Sequence, residues 1–150
     1  MFSMSKTTIY FLRHGEVHNP KKILYGRLPG FHLSCQGQKR IKNVAGQFTD
    51  KDINYLYSSP MLRARQTANI LAERLKLTIK ISRLLNEVKL IFAGLPLEEF
   101  RSRFQPDLYS QKNVARGQES IEAISQRMSR FLNLIIRRHP GKKILVVSHG

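Results

Sequence analysis

Two apolar runs at opposite ends of this chain stop abruptly at polar residues, and this limits the folds that the chain can adopt. The first run, Ile9–Leu12, is followed by Arg13 and His14, and the second, Ile144–Val147, is followed by a serine and His149. Short apolar runs bounded in this way are typical of buried strands. Since ligands of α/β folds bind outside the carboxyl ends of the strands, both histidines stand where a site would form.

A third run of the same kind lies between them. Ile53–Tyr57 is followed by Ser59 and Pro60 and, three residues later, by Arg63. A serine before a proline is a preferred way to begin a helix. If the three strands are parallel, two histidines and two arginines meet at one edge of one sheet.

Apolar residues at intervals of three and four positions predict helices between the strands. Strands that alternate with helices in this rhythm favour a mainly parallel sheet with right-handed crossovers. We therefore predict an α/β fold: a three-layer sandwich with an open, mainly parallel sheet and helices on both faces, in a single domain over 1–150. The other predicted elements are a loop over 17–31, helices that start after Ser34, Pro60 and Ser120, a strand over 77–81 and a short helix over 98–104.

The composition is strongly basic. There are 26 lysines and arginines against 10 acidic residues, which gives a formal net charge of +16. Such a charge can indicate a nucleic-acid or membrane-surface partner. Here the basic residues are scattered, and neither an aromatic stacking platform nor a nucleic-acid motif accompanies them. We expect a basic solvated surface that contributes a few charges to an anion site, and no nucleic-acid partner.

Other features of the sequence point to a cytoplasmic protein without a membrane partner. No apolar run approaches membrane-spanning length, and the first residues lack the pattern of a secretory signal. The single cysteine, Cys35, cannot form a disulfide within the chain, so nothing suggests an oxidising compartment.

The residue types at the predicted sheet edge suit phosphoryl chemistry. Two guanidinium groups can grip a phosphoryl group through bidentate, charge-assisted hydrogen bonds. The start of the helix after Pro60 adds free backbone N–H groups. One imidazole can attack phosphorus, and a second, protonated, can stabilise the oxygens during transfer. A carboxylic acid is still required to protonate the leaving oxygen.

Five segments of the sequence also follow the order of motifs in a known family. They are Arg13–Glu16, Ser59–Ala68, Glu87, Gly117–Ser120 and Ser148–Gly150. Together they resemble the histidine phosphatase superfamily, in its phosphoglycerate-mutase-like branch. The similarity covers essentially the whole chain. The Arg-His-Gly triplet alone is a weak signal, whereas all five segments in this order are highly specific.

The resemblance implies a role for several side chains in these segments. It makes His14 the nucleophile that becomes phosphohistidine, and it assigns Arg13, Arg63 and His149 to the phosphate pocket. Glu87 is then the proton donor. The resemblance implies neither a metal nor an organic cofactor, and it implies a small phosphomonoester as the substrate.

The sequence departs from the family pattern in several places. Val17 replaces a frequent threonine, and Asn19 comes one residue earlier than the usual asparagine. We still include Asn19, and Arg27 from the long loop, among the predicted substrate-binding residues. Family members continue past the Ser-His-Gly motif with a further helix and strand, so we expect the chain to be a fragment that lacks the C-terminal part of the domain.

Three functions remain open at this point. The leading hypothesis is a phosphomonoester hydrolase that works through phosphohistidine. The second is a phosphoglycerate mutase, which returns the phosphoryl group to an acceptor other than water. The third is a non-catalytic basic module that binds polyanions, although binding alone does not require two histidines together with Glu87. His14 and His18 have the spacing of a metal pair only on a helix, and this stretch is predicted as loop, so we predict no metal site.

Overall fold

The computed structural model describes residues 6–150. Its centre is a four-stranded sheet in the order β1-β4-β2-β3, and every pair of neighbouring strands is parallel. Strand-helix alternation therefore produces the predicted parallel sheet. The strands are β1 (Thr8–Arg13), β2 (Tyr55–Ser58), β3 (Ile79–Ile81) and β4 (Lys143–Ser148).

The predicted helices are present, together with one further short helix at Gln111–Ala115, and serine side chains cap three of the helices. Ser34 accepts a hydrogen bond from the amide of Gly37, and Ser120 accepts one from Ala123, which satisfies amides that would otherwise lack a partner. The helices are α1 (Cys35–Gly46), α2 (Leu62–Leu75), α3 (Leu97–Glu99, continued by a π-helical turn, Phe100–Phe104), α4 (Gln111–Ala115) and α5 (Ile121–Arg138), with 3₁₀ turns at Thr49–Lys51 and Arg83–Leu85.

Helices cover both faces of the sheet, which confirms the predicted three-layer sandwich. On one face, Leu145 and Val147 of β4 pack with α1 and α2. On the other face, Ile144 and Val146 pack with Phe131 of α5. All four β4 side chains are fully buried. A strand that is apolar on both faces reads as a continuous hydrophobic run, as β4 does in the sequence.

Two predicted strand boundaries were placed too early. Strand β2 begins at Tyr55 instead of Ile53, because the side chain of Asn54 accepts a hydrogen bond from the amide of Lys143 and takes the place of a ladder contact. Strand β3 begins at Ile79 because Leu77 still closes α2: its amide donates to the carbonyl of Ala72. Capping contacts of this kind have no apolar signature that periodicity could detect.

The segment between β3 and α5 forms an apolar cluster of its own, away from the sheet. Its buried members are Phe92, Phe100 and Leu108. The loop over 17–31 has irregular structure. One isolated bridge joins Val17, at its start, to Leu33, just after its end, and a second joins Ile23, within the loop, to Pro96. This second bridge brings the loop beside the apolar cluster. None of the helices formed by residues 6–150 is long and apolar enough to cross a bilayer.

Candidate active site

The parallel register brings the ends of three strands to the same level. Arg13 of β1 lies opposite Ser148 of β4, and Ser58 of β2 lies opposite Val147 of β4. The residues that follow these strands therefore emerge side by side. They are His14, Ser59 and His149, and the rings of the two histidines have centroids 5.2 Å apart in an edge-to-face arrangement.

Backbone contacts fix one tautomer of His14. Its Nδ1 lies 2.8 Å from the carbonyl oxygen of Gly15. Because a carbonyl can only accept, Nδ1 carries the proton and donates, and Nε2 keeps its lone pair. Gly15 itself has no room for a side chain, since a Cβ there would lie 2.8 Å from Cγ1 of Ile41 and 3.2 Å from the carbonyl oxygen of Gly37.

Burial also keeps the His14 imidazole neutral. The side chain is buried, and desolvation lowers its pKa from 6.5 to about 4. The hydrogen bond to the Gly15 carbonyl opposes this shift, while the charges of Arg63, His149 and Arg13 add to it. At neutral pH the group is therefore a neutral imidazole whose Nε2 carries no proton, as a nucleophile requires.

Arg63, in the first turn of α2, connects the polar residues of the site. It is only 1% exposed, and its guanidinium lies over the ring of Tyr25, 4.7 Å from the centroid. Its Nε donates to Nε2 of His14 (3.1 Å). Its Nη2 donates to the carbonyl oxygen of Gly26 (2.9 Å) and to Oε2 of Glu87 (3.1 Å). A buried guanidinium with several acceptors is held in one orientation.

Glu87 and His149 complete the cluster. Nδ1 of His149 lies 3.3 Å from Oε2 of Glu87 and 3.2 Å from Nη2 of Arg63. Nε2 of His149 lies 2.8 Å from Oγ of Ser59. Burial alone would raise the pKa of the Glu87 carboxyl, but the hydrogen bond and charge of His149, the Val88 amide and Arg63 together lower it below its ordinary value.

One group in the described part of the chain has ligand atoms close enough to hold a metal ion. His14, Glu87 and His149 each offer an atom, and these atoms lie within 4.8 Å of one another. The guanidinium of Arg63 contacts all three side chains. A fixed positive charge in that position repels a cation and attracts an anion. The electrostatics of the cluster therefore favour a phosphate over a metal ion.

Two open cavities border this cluster, and their lining residues differ in part. One, of about 300 Å³, is lined by Arg13, Tyr25 and Glu87, and it extends toward the apolar cluster of the segment between β3 and α5. The other, of about 400 Å³, is lined by His14, Arg13 and Tyr25 and opens beside Arg40. Arg13 and Tyr25 line both cavities, so they form the boundary between the two approaches to the reaction centre.

Comparison with known proteins identifies the family. The sequence model of the histidine phosphatase superfamily (branch 1) matches residues 9–150. The chain belongs to this superfamily. Phosphatases and phosphoglycerate-mutase-like proteins are both found among the matched histidine phosphatases.

Individual relatives show how closely this chain resembles known proteins. An uncharacterised protein of Mycobacterium tuberculosis is 45% identical over 89 residues, which are 59% of this chain and 44% of that protein. A protein of Bacillus subtilis named as the uncharacterised phosphatase PhoE is 30% identical over 146 residues, 96% of this chain and 72% of PhoE. The structure of Bacillus stearothermophilus YhfR superimposes with a TM-score of 0.83 and 25% identity, over 97% of this chain and 75% of YhfR.

The structure brings four of the predicted site residues into direct contact and places three others around them. His14, Arg63, Glu87 and His149 form the buried cluster described above. Arg13 is exposed, and its side chain lies against Gly150 at the mouth of the cluster. Asn19 and Arg27 lie in the loop over 17–31, and their contacts with substrate stay predictions.

Asn19 and Arg27 both contact the protein backbone in this structure. The Asn19 amide donates to the carbonyl of Ile23 and accepts from its amide, which closes a turn of the loop. Nε of Arg27 donates to the carbonyl oxygen of Glu87 (2.6 Å), and its Nη2 lies 3.4 Å from Glu119. Arg27 therefore helps to hold the backbone that carries Glu87. Asn19 also lines both cavities.

Reading the sequence missed three residues of the site. Ser59 contacts His149, Tyr25 supports Arg63, and Thr67 accepts a hydrogen bond from the amide of Gly15. Thr67 carried a usable signal, because it lies one helical turn after Arg63 and faces the same side of α2. Tyr25 carried none, since it is an aromatic residue in an irregular loop.

The lowered pKa of His14 predicts a specific dependence of stability on pH. The unfolded state binds the proton near pH 6.5, whereas the folded state does so only near pH 4. The contribution of His14 to stability is therefore complete above pH 6.5 and is lost as pH falls toward 4, by a total of roughly 3 kcal/mol. Denaturant unfolding at pH 7.5, 5.5 and 4.0 measures this loss.

A His14→Gln variant isolates that contribution. Glutamine does not titrate, and the other acid-sensitive groups remain in both proteins, including His139, whose pKa burial also lowers. We expect the variant to lose less stability than the wild-type protein between pH 7.5 and 4.0. Equal losses would show that His14 is not held neutral in the folded state.

Proposed function

We propose that this histidine phosphatase is a phosphomonoester hydrolase in which Nε2 of His14 carries the phosphoryl group. The observation that carries the proposal is the neutral, buried imidazole: Nδ1 is bound to the Gly15 carbonyl, and Nε2 is directed at the buried guanidinium of Arg63. A phosphoryl group held by Arg63 would have its phosphorus beside that lone pair. The proximity of nucleophile and anion site is what in-line attack requires.

In the first step, Nε2 of His14 forms a bond to phosphorus while the bond from phosphorus to the leaving alcohol oxygen breaks. Arg63, Arg13 and His149 stabilise the negative charge on the non-bridging oxygens. Glu87 gives its proton to the leaving oxygen, so that the product leaves as a neutral alcohol.

Glu87 must be protonated at the moment of transfer, although its pKa is lowered in the ligand-free cluster. Binding of a phosphate group would change the surroundings of Glu87. The phosphate would take over the contacts of Arg63 and His149 that now stabilise the carboxylate, and its negative charge would repel a second one. Both effects raise the pKa of a carboxyl group. Binding of the substrate would therefore favour the protonated form of Glu87.

In the second step, water attacks phosphorus, Glu87 accepts a proton from that water, and the bond to Nε2 breaks to release inorganic phosphate. That water must lie beside Glu87, on the side of phosphorus opposite Nε2, so it occupies the space in the cavity of about 300 Å³ that the alcohol has left. Release of inorganic phosphate from a phosphomonoester in water tests the hydrolase. Transfer of label to added phosphoglycerate with no free phosphate would contradict it and indicate a mutase.

Replacing Glu87 with Gln should affect substrates according to their leaving groups. A poor leaving group, such as the alkoxide of an alkyl phosphate, needs a proton, whereas nitrophenolate does not. We expect kcat/KM for an alkyl phosphate to fall by about 10²- to 10³-fold and that for nitrophenyl phosphate by less than about tenfold. Steady-state kinetics on the two esters gives the ratio directly.

Glu119→Gln is the matched control for that experiment. Glu119 lies near Glu87, but its carboxylate is bound by Arg127 and by the amide of Lys89. We expect its replacement to change both esters by the same factor. If Glu87→Gln also changed both equally, Glu87 would have a structural role and another group would be the acid.

A further inference from the structure

The cavity of about 300 Å³ borders the reaction centre and has a wall of apolar side chains together with several polar ones. Glu87 lies at that border. Leu90 is the apolar residue next to the reaction centre. Its Cδ1 lies 3.4 Å from the point where a Cβ on Gly26 would be, and the carbonyl oxygen of Gly26 accepts a hydrogen bond from Arg63. The aliphatic and phenylalanine residues of the lining are Ile23, Leu24, Val88, Leu90, Leu97, Phe100 and Leu108, and its polar side chains include Asn19, Gln105 and Tyr109.

An apolar wall this close to the phosphate site suits a leaving group with its own apolar surface. Covering such a wall removes apolar area from water on both partners, at about 25 cal/mol per Å². A three-carbon polar leaving group would leave most of the wall exposed. Cavities of a few hundred Å³ accommodate ligands with roughly the size of a small drug fragment.

The charges along the cavity exclude a cationic leaving group. Among the lining residues in 6–150, the one acidic side chain is Glu87, and it already contacts Arg63 and His149. An ammonium group, such as that of phosphoserine, would enter this cavity without a free carboxylate to pair with. Desolvation of an unpaired charge is unfavourable.

At its other boundary the cavity offers a cation. Arg101 lines this cavity and also a neighbouring one of about 670 Å³, whose other charged lining residues are Lys21, Lys22 and Glu98 and which contains none of the reaction-centre residues. Arg101 is exposed and makes no ion pair within residues 6–150, whereas Arg103 in the same turn is paired with Glu99. Three cations against the single carboxylate of Glu98 leave this boundary with a net positive charge.

We propose that the leaving group of this enzyme is an apolar, aryl- or alkyl-type alcohol that carries an anionic group at its distal end, and that Leu90 and Arg101 select it. The inference rests on the proposed hydrolase function, because it assigns the cavity of about 300 Å³ to the alcohol half of a phosphomonoester. Leu90 contacts the apolar body, and Arg101 binds the distal anion by a charge-assisted contact.

A pair of esters that differ in one charge tests Arg101. The esters are 4-propylphenyl phosphate and its counterpart with a carboxylate at the end of the propyl chain. We expect kcat/KM to be about fivefold higher for the carboxylate ester, as for a partly exposed ion pair, and Arg101→Met to reduce this preference to less than twofold. Arg103→Met is the matched control and should keep the preference.

A second pair of variants tests the apolar wall. Leu90→Asn should reduce kcat/KM for both aryl esters about tenfold and should change that for methyl phosphate, which does not reach the wall, by less than twofold. Leu95→Asn is the matched control, because Leu95 belongs to the same apolar cluster but does not line the cavity. Phosphoserine should be hydrolysed at least tenfold less efficiently than either aryl ester.

The failures of the two proposals are distinguishable. Hydrolysis with phosphoserine as the best ester, or with an unchanged charge preference in Arg101→Met, would overturn the leaving-group assignment and leave the hydrolase standing. Binding of the benzylphosphonate analogues of the two esters, measured by calorimetry, covers the reverse case. Carboxylate-dependent binding that Arg101→Met removes, without hydrolysis of any ester, would support the leaving-group site and overturn the hydrolase.

Discussion

Replacing His14 with Ala is expected to lower kcat by at least about 10⁴-fold, because no other group can form the covalent intermediate. In the proposed mechanism, phosphate binding by Arg63 and protonation by Glu87 both act on a phosphoryl group that His14 must first accept. Without the nucleophile, the remaining residues could only orient a water molecule for direct attack on phosphorus, which accelerates the reaction weakly. Steady-state kinetics with nitrophenyl phosphate measures the loss.

Trapping of the intermediate gives a second measurement. Brief exposure to a ³²P-labelled phosphomonoester, followed by an alkaline quench, should leave acid-labile label on the peptide that contains His14. His139→Ala offers a matched control, since this histidine is also buried but contacts Tyr57 at the far end of the sheet. Label that survives acid, or that persists in His14→Ala, would contradict the phosphohistidine.

Replacing Arg63 with Met is expected to affect both catalysis and stability. Arg63 is 1% exposed and contacts His14, Glu87 and His149. Its loss would remove the main positive charge that holds the phosphoryl group, which we expect to lower kcat/KM by about 10³-fold. It would also leave the half-buried Glu87 carboxylate with only His149 and the Val88 amide as partners, at about 3 kcal/mol of unfolding free energy.

Two further variants separate these effects. Arg63→Lys keeps the charge but cannot contact His14 and Glu87 through separate nitrogens, so we expect it to recover much of the stability and little of the activity. Arg65→Met, two residues further along α2 on its exposed side, should change neither quantity by much. Titration with inorganic phosphate and denaturant unfolding provide the two readouts. Tight phosphate binding by Arg63→Met would show that the anion site lies elsewhere.

Much of the fold was predictable from local patterns. β4 is apolar on both faces, and α5 repeats apolar residues every three to four positions, so their element types and the parallel sheet followed from periodicity. Ser34 and Ser120 marked two helix starts correctly. The catalytic candidates were also readable, because His14, Arg63 and His149 follow predicted strand ends, and parallel strands bring their ends to one edge.

Tertiary structure decided the properties that make these residues a site. Neutrality of His14 depends on burial and on the Gly15 carbonyl, and the lowered pKa of Glu87 depends on neighbours that are far away in sequence. Tyr25 lies against Arg63 because an irregular loop passes over the sheet edge. Periodicity and spacing report which face of an element is buried. They carry no information about how a loop packs on a distant helix, and that packing sets the distances on which charge and proton transfer depend.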